Sequence, residues 1–261
     1  METNNIVIVG SGNVATNLAV ALKSIGKNVV CVYSPSTENA KKLADRTNSS
    51  FTNNYNDIPD HADLYIIAVK DSAVVQVVSE LKVQSGIVVH TSGSVSMSVF
   101  KSIFSDFGVF YPLMHFSIDK PVDFSEIPLC IEANNNSSLE AIRQLAQQLS
   151  HNVHTVSSEQ RMILHLSAVI ASNFTNLNYV IAEDILRKNQ LSFDLLRPII
   201  LETANKACND SPAKMQTGPA IREDFEVMKK HIYLLENLPQ YKKLYKLLSD
   251  IIIQKKRNHE L

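Results

Sequence analysis

The stretch Ile6-Val7-Ile8-Val9-Gly10-Ser11-Gly12-Asn13-Val14-Ala15 runs from β-branched residues into glycines and out into a helix. Positions 6–9 are apolar without alternation, which suits a strand covered on both faces of a parallel sheet. Gly10 permits a tight turn, Gly12 lets a ligand approach where a Cβ would stand, and Ala15 is small enough for helix to lie on strand. Val14, Leu18, Leu22 and Ile25 follow at helical spacing. The first amides of such a helix lack partners within it and sit at its positive dipole end. The pattern G-x-G-x-x-A therefore predicts a diphosphate site made by Gly10, Ser11, Gly12, Asn13 and Val14. Glycine pairs also occur in ordinary turns, so context matters. Gly26 and a second apolar strand over 29–33 complete a βαβ unit, which selects dinucleotide binding.

The end of that second strand bears on the choice of nucleotide. An NAD site places a carboxylate about twenty residues beyond the glycines to hold the ribose 2′-hydroxyl. Here the chain reads Cys31-Val32-Tyr33-Ser34-Pro35-Ser36-Thr37, with no acid at the tip and with Lys41 and Lys42 following. This favours NADP, with Ser34 and Ser36 on the ribose phosphate. Ser36 or Thr37 also reads as the cap of the helix through Ala40 and Leu43.

Further strands are expected over 50–52, 64–69, 87–90, 107–110, 128–132 and 153–156, with helices over 73–81 and 139–149. Strand 64–69 delivers Val69 and then Lys70-Asp71 to the carboxyl edge of the sheet, where ligands of open α/β sheets bind; Asp71 or Ser72 also suits the cap of the next helix. Strand 87–90 runs into Thr91-Ser92-Gly93-Ser94, so Ser92 and Gly93 are placed beside the ribose or nicotinamide. Beyond the strand at 107–110, Tyr111-Pro112-Leu113-Met114-His115-Phe116-Ser117 carries His115 on a proline-shaped loop, as a substrate contact or as a histidine satisfied by backbone. This alternation argues a doubly wound α/β domain over residues 1–156.

Composition changes after that point. Ser157-Ser158-Glu159-Gln160 has capping-box spacing, and no strand pattern follows it. The next helix, over 161–187, is apolar on nearly every side, which predicts burial in an all-helical domain, over 157–261, or in a dimer interface. At α-helical spacing His165, Ser172 and Asn176 share one stripe with Asn173 beside them, either as a structural network or as a substrate wall. A helix capped by Ser192 and kinked or started at Pro198 comes next. The Gly218-Pro219 loop presents Thr217, Arg222 and Asp224, and helices over 225–235 and 239–255 close the chain.

With 25 basic and 26 acidic residues in 261, the chain offers no charge imbalance for nucleic acid or a membrane surface. Cys31, Cys130 and Cys208 have no metal-ligand spacing, so no metal is expected. No leader or membrane span is read, and the expected location is cytoplasmic.

Gly10-Ser11-Gly12-Asn13-Val14-Ala15, His90-Thr91-Ser92-Gly93, Tyr111-Pro112-Leu113 with Phe116-Ser117, Ala171-Ser172-Asn173-Phe174, and Thr217-Gly218-Pro219 with Arg222 and Asp224 together carry a resemblance over nearly the whole chain. The sequence resembles the Rossmann-like NADP oxidoreductases of uncharacterised function. These are relatives of the deazaflavin-dependent NADP reductases, pyrroline-5-carboxylate reductases and 6-phosphogluconate-type dehydrogenases. The resemblance implies a Rossmann domain, a helical substrate and dimerisation domain that makes a homodimer, and a cleft between the two. It implies hydride transfer between the nicotinamide of NADP and a small carbonyl, imine or hydroxy substrate, with His115, His165 and Asn173 as candidate catalytic residues. One departure stands out. In the related hydroxyacid dehydrogenases a lysine four residues before an interdomain asparagine moves the proton; with Asn173 in that place the position is Val169, which cannot. His165 or His115 would have to substitute, imidazole being the side chain type most often used to move a proton. A nucleotide-binding sensor or scaffold without turnover, or a reductase of a deazaflavin or flavin, would share the glycine motif.

Overall fold

In the computed structural model, which describes residues 3–118 and 122–260, β1 (Asn5–Val9) lies between two parallel neighbours. These are β2 (Asn28–Tyr33) and β4 (His61–Ile67). The sheet is completed by β3 (Ser50–Thr52), β5 (Ser85–His90), β6 (Phe107–Pro112), β7 (Leu129–Ala133) and β8 (Val153–Thr155). Its order is β3-β2-β1-β4-β5-β6-β7-β8, and only β6 and β7 pair antiparallel. Every expected strand forms. The fourth begins earlier than its apolar run because Asp63 accepts the backbone N–H groups of Asn4 and Asn5, at 2.9 and 2.7 Å, extending the polar end of the pairing.

The unalternated apolar strands are explained by two cores. Ile6, Ile8, Leu64, Ile66 and Val89 point to one face, under α1 (Asn13–Ser24) and α2 (Thr37–Thr47). Val7, Val9, Tyr65, Ile67 and Val88 point to the other, under α3 (Asp71–Glu80). A further helix, α4 (Asn136–Leu149), buries Ile142 and Leu145 against the first face. Order reverses between β1 and β4, so the carboxyl ends of β1, β4, β5 and β6 open on one edge at a topological switch point.

After β8 the chain is helical: α5 (Ser158–Ala168), a π-helical turn (Val169–Phe174), α6 (Thr175–Lys188), α7 (Arg197–Asn209), α8 (Phe225–Leu234) and α9 (Pro239–Arg257). The capping box forms as its spacing predicts, Ser157 Oγ accepting from Gln160 N and Gln160 Oε1 from Ser157 N. Pro198 stands in the first turn of α7, after a 3-10 turn capped by Ser192. By contacts the chain divides into Met1–Ala171 and Ser172–Leu261. The switch from strands to helices thus falls near 156, but α5 belongs to the first unit, because its side chains are anchored there.

The expected burial of helix 161–187 is not met within one chain. Arg161 is its buried member, whereas Ile163, Leu166, Ile170, Phe174 and Leu177 are exposed. The helix carries more apolar surface than its own fold covers. The stripe of His165, Ser172 and Asn176 is also interrupted, since a π turn takes more residues per turn than the α-helix on which that spacing rests.

Candidate functional site

The glycine end of the candidate site is built by one strand, one turn and one helix. Gly10 has φ +127°, and a Cβ there would stand 2.2 Å from the carbonyl oxygen of Ala68 and 3.3 Å from Val69 Cγ1. Glycine alone fits because the turn is left-handed and the β4 end passes directly against it. Gly12 is the N-cap of α1, carries no side-chain cap, and has open space where a Cβ would be. The amides at Asn13 and Val14 therefore begin a helix whose positive end is capped by no side chain among the described residues, as an anion site requires. Ser11 Oγ donates to Ser34 Oγ at 2.8 Å, and Ser36 N also donates to Ser34 Oγ, at 3.3 Å. Ser34 is buried and acts as a strut between the glycine turn and the β2 tip. Ser36 caps α2 by accepting from Asn39 N. Both serines lie at the expected tip, with local structural work of their own.

A second cluster forms where β5 and β6 end. Tyr111 Oη lies 3.2 Å from His165 Nδ1, and the rings meet edge to face. Gly93 is buried beneath them: a Cβ on it would come within 2.7 Å of His165 Nδ1 and 2.9 Å of Tyr111 Cζ. Burial pushes the Tyr111 phenol up to about 12, so it stays protonated at neutral pH. In either imidazole tautomer the pair presents one free donor. With the proton on Nδ1, His165 donates to the phenol oxygen and frees the tyrosine O–H. With the proton on Nε2, tyrosine locks the ring and Nε2–H is free.

The loop after β5 is held from below. Ser92 Oγ accepts from the N–H groups of Ser94 and Val95 at 3.1 and 3.0 Å, and Ser94 Oγ donates to Asp71. His90 is fully buried beside Phe100; its Nδ1 accepts from Ser92 N at 3.2 Å, which places its proton on Nε2, a buried nitrogen with no hydrogen-bond partner among the described residues. Burial, reinforced by the Arg161 charge, lowers its pKa to about 4.

Of the residues singled out by sequence, Gly10, Ser11, Gly12, Asn13, Val14, Ser34 and Val69 gather at one end, and Ser92, Gly93 and His165 at the other. His115 is exposed, with no side-chain hydrogen bond among the described residues, although the adjoining Ser117 carbonyl accepts from Asn17 of α1 at 3.0 Å. Asn173 is exposed on the π turn of the second unit. Asp224 caps α8 through Val227 N, and Arg222 is exposed. Tyr111, His90 and Arg161 were not read as site residues from sequence. Tyr111 had a signal, standing on the strand that aims at the sheet's carboxyl edge, and so had His90, which ends the strand running into Ser92-Gly93; Arg161 had none. Among the described residues no group of three or more His, Cys, Asp or Glu side chains could hold a metal, and no helix is long and apolar enough to cross a membrane.

Residues 5–92 match the family model described as NADP oxidoreductase, coenzyme F420-dependent, and residues 127–252 match a domain of unknown function, DUF2520. No curated protein matches the chain. A candidate NADP oxidoreductase from Bacteroides fragilis is 40% identical, with TM-score 0.90 over 97% of this chain and 98% of its own. A protein from Thermotoga maritima is 22% identical, with TM-score 0.77 over 95% of this chain and 99% of its own. A reductive aminase from Aspergillus terreus, solved with NADPH and ethyl-5-oxohexanoate, shares the fold at 13% identity and TM-score 0.69, over 98% of this chain and 94% of its own. At 40% identity over nearly the full length of both chains, this protein belongs to the family of the candidate NADP oxidoreductase from Bacteroides fragilis, and in this chain the match to the F420-dependent NADP oxidoreductase model precedes the match to DUF2520.

Proposed function

We propose that the protein is an NADP-dependent oxidoreductase acting on a small carbonyl, imine or hydroxy substrate. The observation that carries this reading is the uncapped head of α1 behind Gly10 and Gly12, where an anion finds free amides and, among the described residues, no side chain capping them. Gly10, Ser11, Gly12, Asn13 and Val14 would hold the diphosphate. Ser36 would meet the ribose phosphate, with Ser34 bracing it, and Val69, Ser92 and Gly93 would line the path toward the nicotinamide. When bound, the cofactor supplies or accepts the hydride. The chain's own part is to move the accompanying proton. His165 with Tyr111 would give it to the oxygen or nitrogen of the reduced substrate, or take it in the reverse direction. His115 and Asn173 would orient substrate. We also assign a homodimer through the helical domain, supported by the exposure of Phe174, Leu177, Leu195 and Ile199.

Titration with NADPH and NADH, followed by nicotinamide fluorescence, tests the cofactor. Tighter binding of NADPH is expected, and binding of NADH alone or of neither defeats the assignment. A panel of carbonyls and imines read at the nicotinamide absorbance then tests turnover. Tyr111→Phe and His165→Ala are expected to lower kcat by a factor of about 100 or more, as for loss of a general acid. A nucleotide-binding sensor without turnover is the second reading, favoured by Val169 at a position where related dehydrogenases use lysine. It requires that no substrate oxidise bound NADPH.

A further inference from the structure

Arg161 is the largest fully buried side chain of the molecule's described part and is 1% exposed. A charged group is so completely withdrawn from water only when its donors are satisfied. Here the fork reaches three elements. Nε donates to the Ser92 carbonyl at 3.1 Å and Nη2 to the Val95 carbonyl at 2.6 Å, so one guanidinium grips both ends of the loop that carries Gly93. Nη1 pairs with Glu132 Oε2 at 2.5 Å, and Nη2 also reaches Ser158 Oγ at 3.2 Å. Glu132 in turn accepts from Ser158 N at 3.0 Å and Ser158 Oγ at 2.8 Å, which seats the first turn of α5 on β7. His165 is four residues after Arg161, on the same face of that helix.

We infer that Arg161, with Glu132, is a positioning residue that sets the Ser92–Val95 loop and the His165–Tyr111 pair in one fixed register, and so shapes the nicotinamide end of the site. The inference rests on the NADP reading above. Packing alone would not need this residue: an apolar side chain could fill the volume, but it could not hold two carbonyls of one loop and a carboxylate of the sheet at once. Lysine has the charge without the planar fork, and cannot span the same acceptors.

Arg161→Lys retains a cation beside Glu132 and isolates the geometry. NADPH and 2′-phospho-ADP-ribose, which lacks the nicotinamide, are each titrated against wild type and variant by calorimetry. Arg161→Lys is expected to weaken NADPH about tenfold, the scale of one charged hydrogen bond, and to leave 2′-phospho-ADP-ribose unchanged. The emission of bound NADPH is expected to move toward that of free NADPH. Equal losses for both ligands, or no loss for either, overturn the positioning role. Failure of the wild-type protein to bind either ligand overturns the NADP reading itself, which is a separate result. If Arg161→Lys does not fold, Glu132→Gln is put through the same comparison, because its amide oxygen still accepts from Ser158 while the charge that orients Arg161 is gone.

Discussion

Gly93 and His90 show how single positions near the β5 end are constrained from opposite directions. Gly93 has no room for a methyl group, so Gly93→Ala should push Tyr111 and His165 apart and cost about 1–3 kcal/mol, the usual penalty for overpacking. Urea unfolding measures the loss, and an unchanged midpoint would contradict the contact distances. His90 has the opposite problem, a buried imidazole that must stay neutral. The unfolded chain takes up a proton near the ordinary value of 6.5, whereas the folded protein resists until about pH 4. Stability is therefore full above pH 6.5 and falls as pH drops toward 4, by on the order of 3 kcal/mol from this group. His90→Gln should flatten that limb of the stability profile, leaving only the contribution of the carboxylates. An unaltered limb would mean that His90 is accessible to protons in the native state.

At the scale of elements, the head of α1 can be asked directly whether it is reserved for a ligand. Gly12 has the extended backbone of an N-cap, φ −79° and ψ −170°, and open space around it. Aspartate is among the best caps and improves on glycine by only a few tenths of a kcal/mol. Gly12→Asp should thus leave the protein as stable as before or slightly more so, while its carboxylate occupies the anion site and weakens NADPH at least tenfold. Retained NADPH affinity in a stable Gly12→Asp protein would show that phosphate binds elsewhere. The π turn at Val169–Phe174 belongs to this scale too. The α-helical stripe read from sequence assumed one uniform period, and nothing in the residue types there announces the wider turn.

At the scale of the molecule, the helical part presents apolar side chains that one copy does not cover: Leu195 is 66% exposed, Ile199 62% and Leu234 76%. Its own described core is small, centred on Ala220, Met228 and Ile253. Sedimentation velocity should find a dimer at micromolar concentration. Ile199→Glu, which places a charge on that face, should shift the mass toward a monomer without unfolding the sheet domain. A wild-type monomer under those conditions would reject the homodimer assignment.

Periodicity and glycine placement, both local properties, determined most of what was legible: eight strands, the βαβ unit, the capping box at Ser157, and the tight glycine turn at the head of α1. Each depends on residues close together in the chain, where sterics and helix geometry leave few alternatives. Tertiary structure alone decided what joins the far end of the site. Gly93, Tyr111 and His165 are separated by long stretches of sequence, and only the parallel stacking of β5 and β6 with the anchoring of α5 brings them into contact. Nothing in the sequence marks Arg161, because its partners at Ser92, Val95 and Glu132 leave no trace in its neighbourhood of sequence; burial, which creates the demand for all of them, exists only in the folded chain.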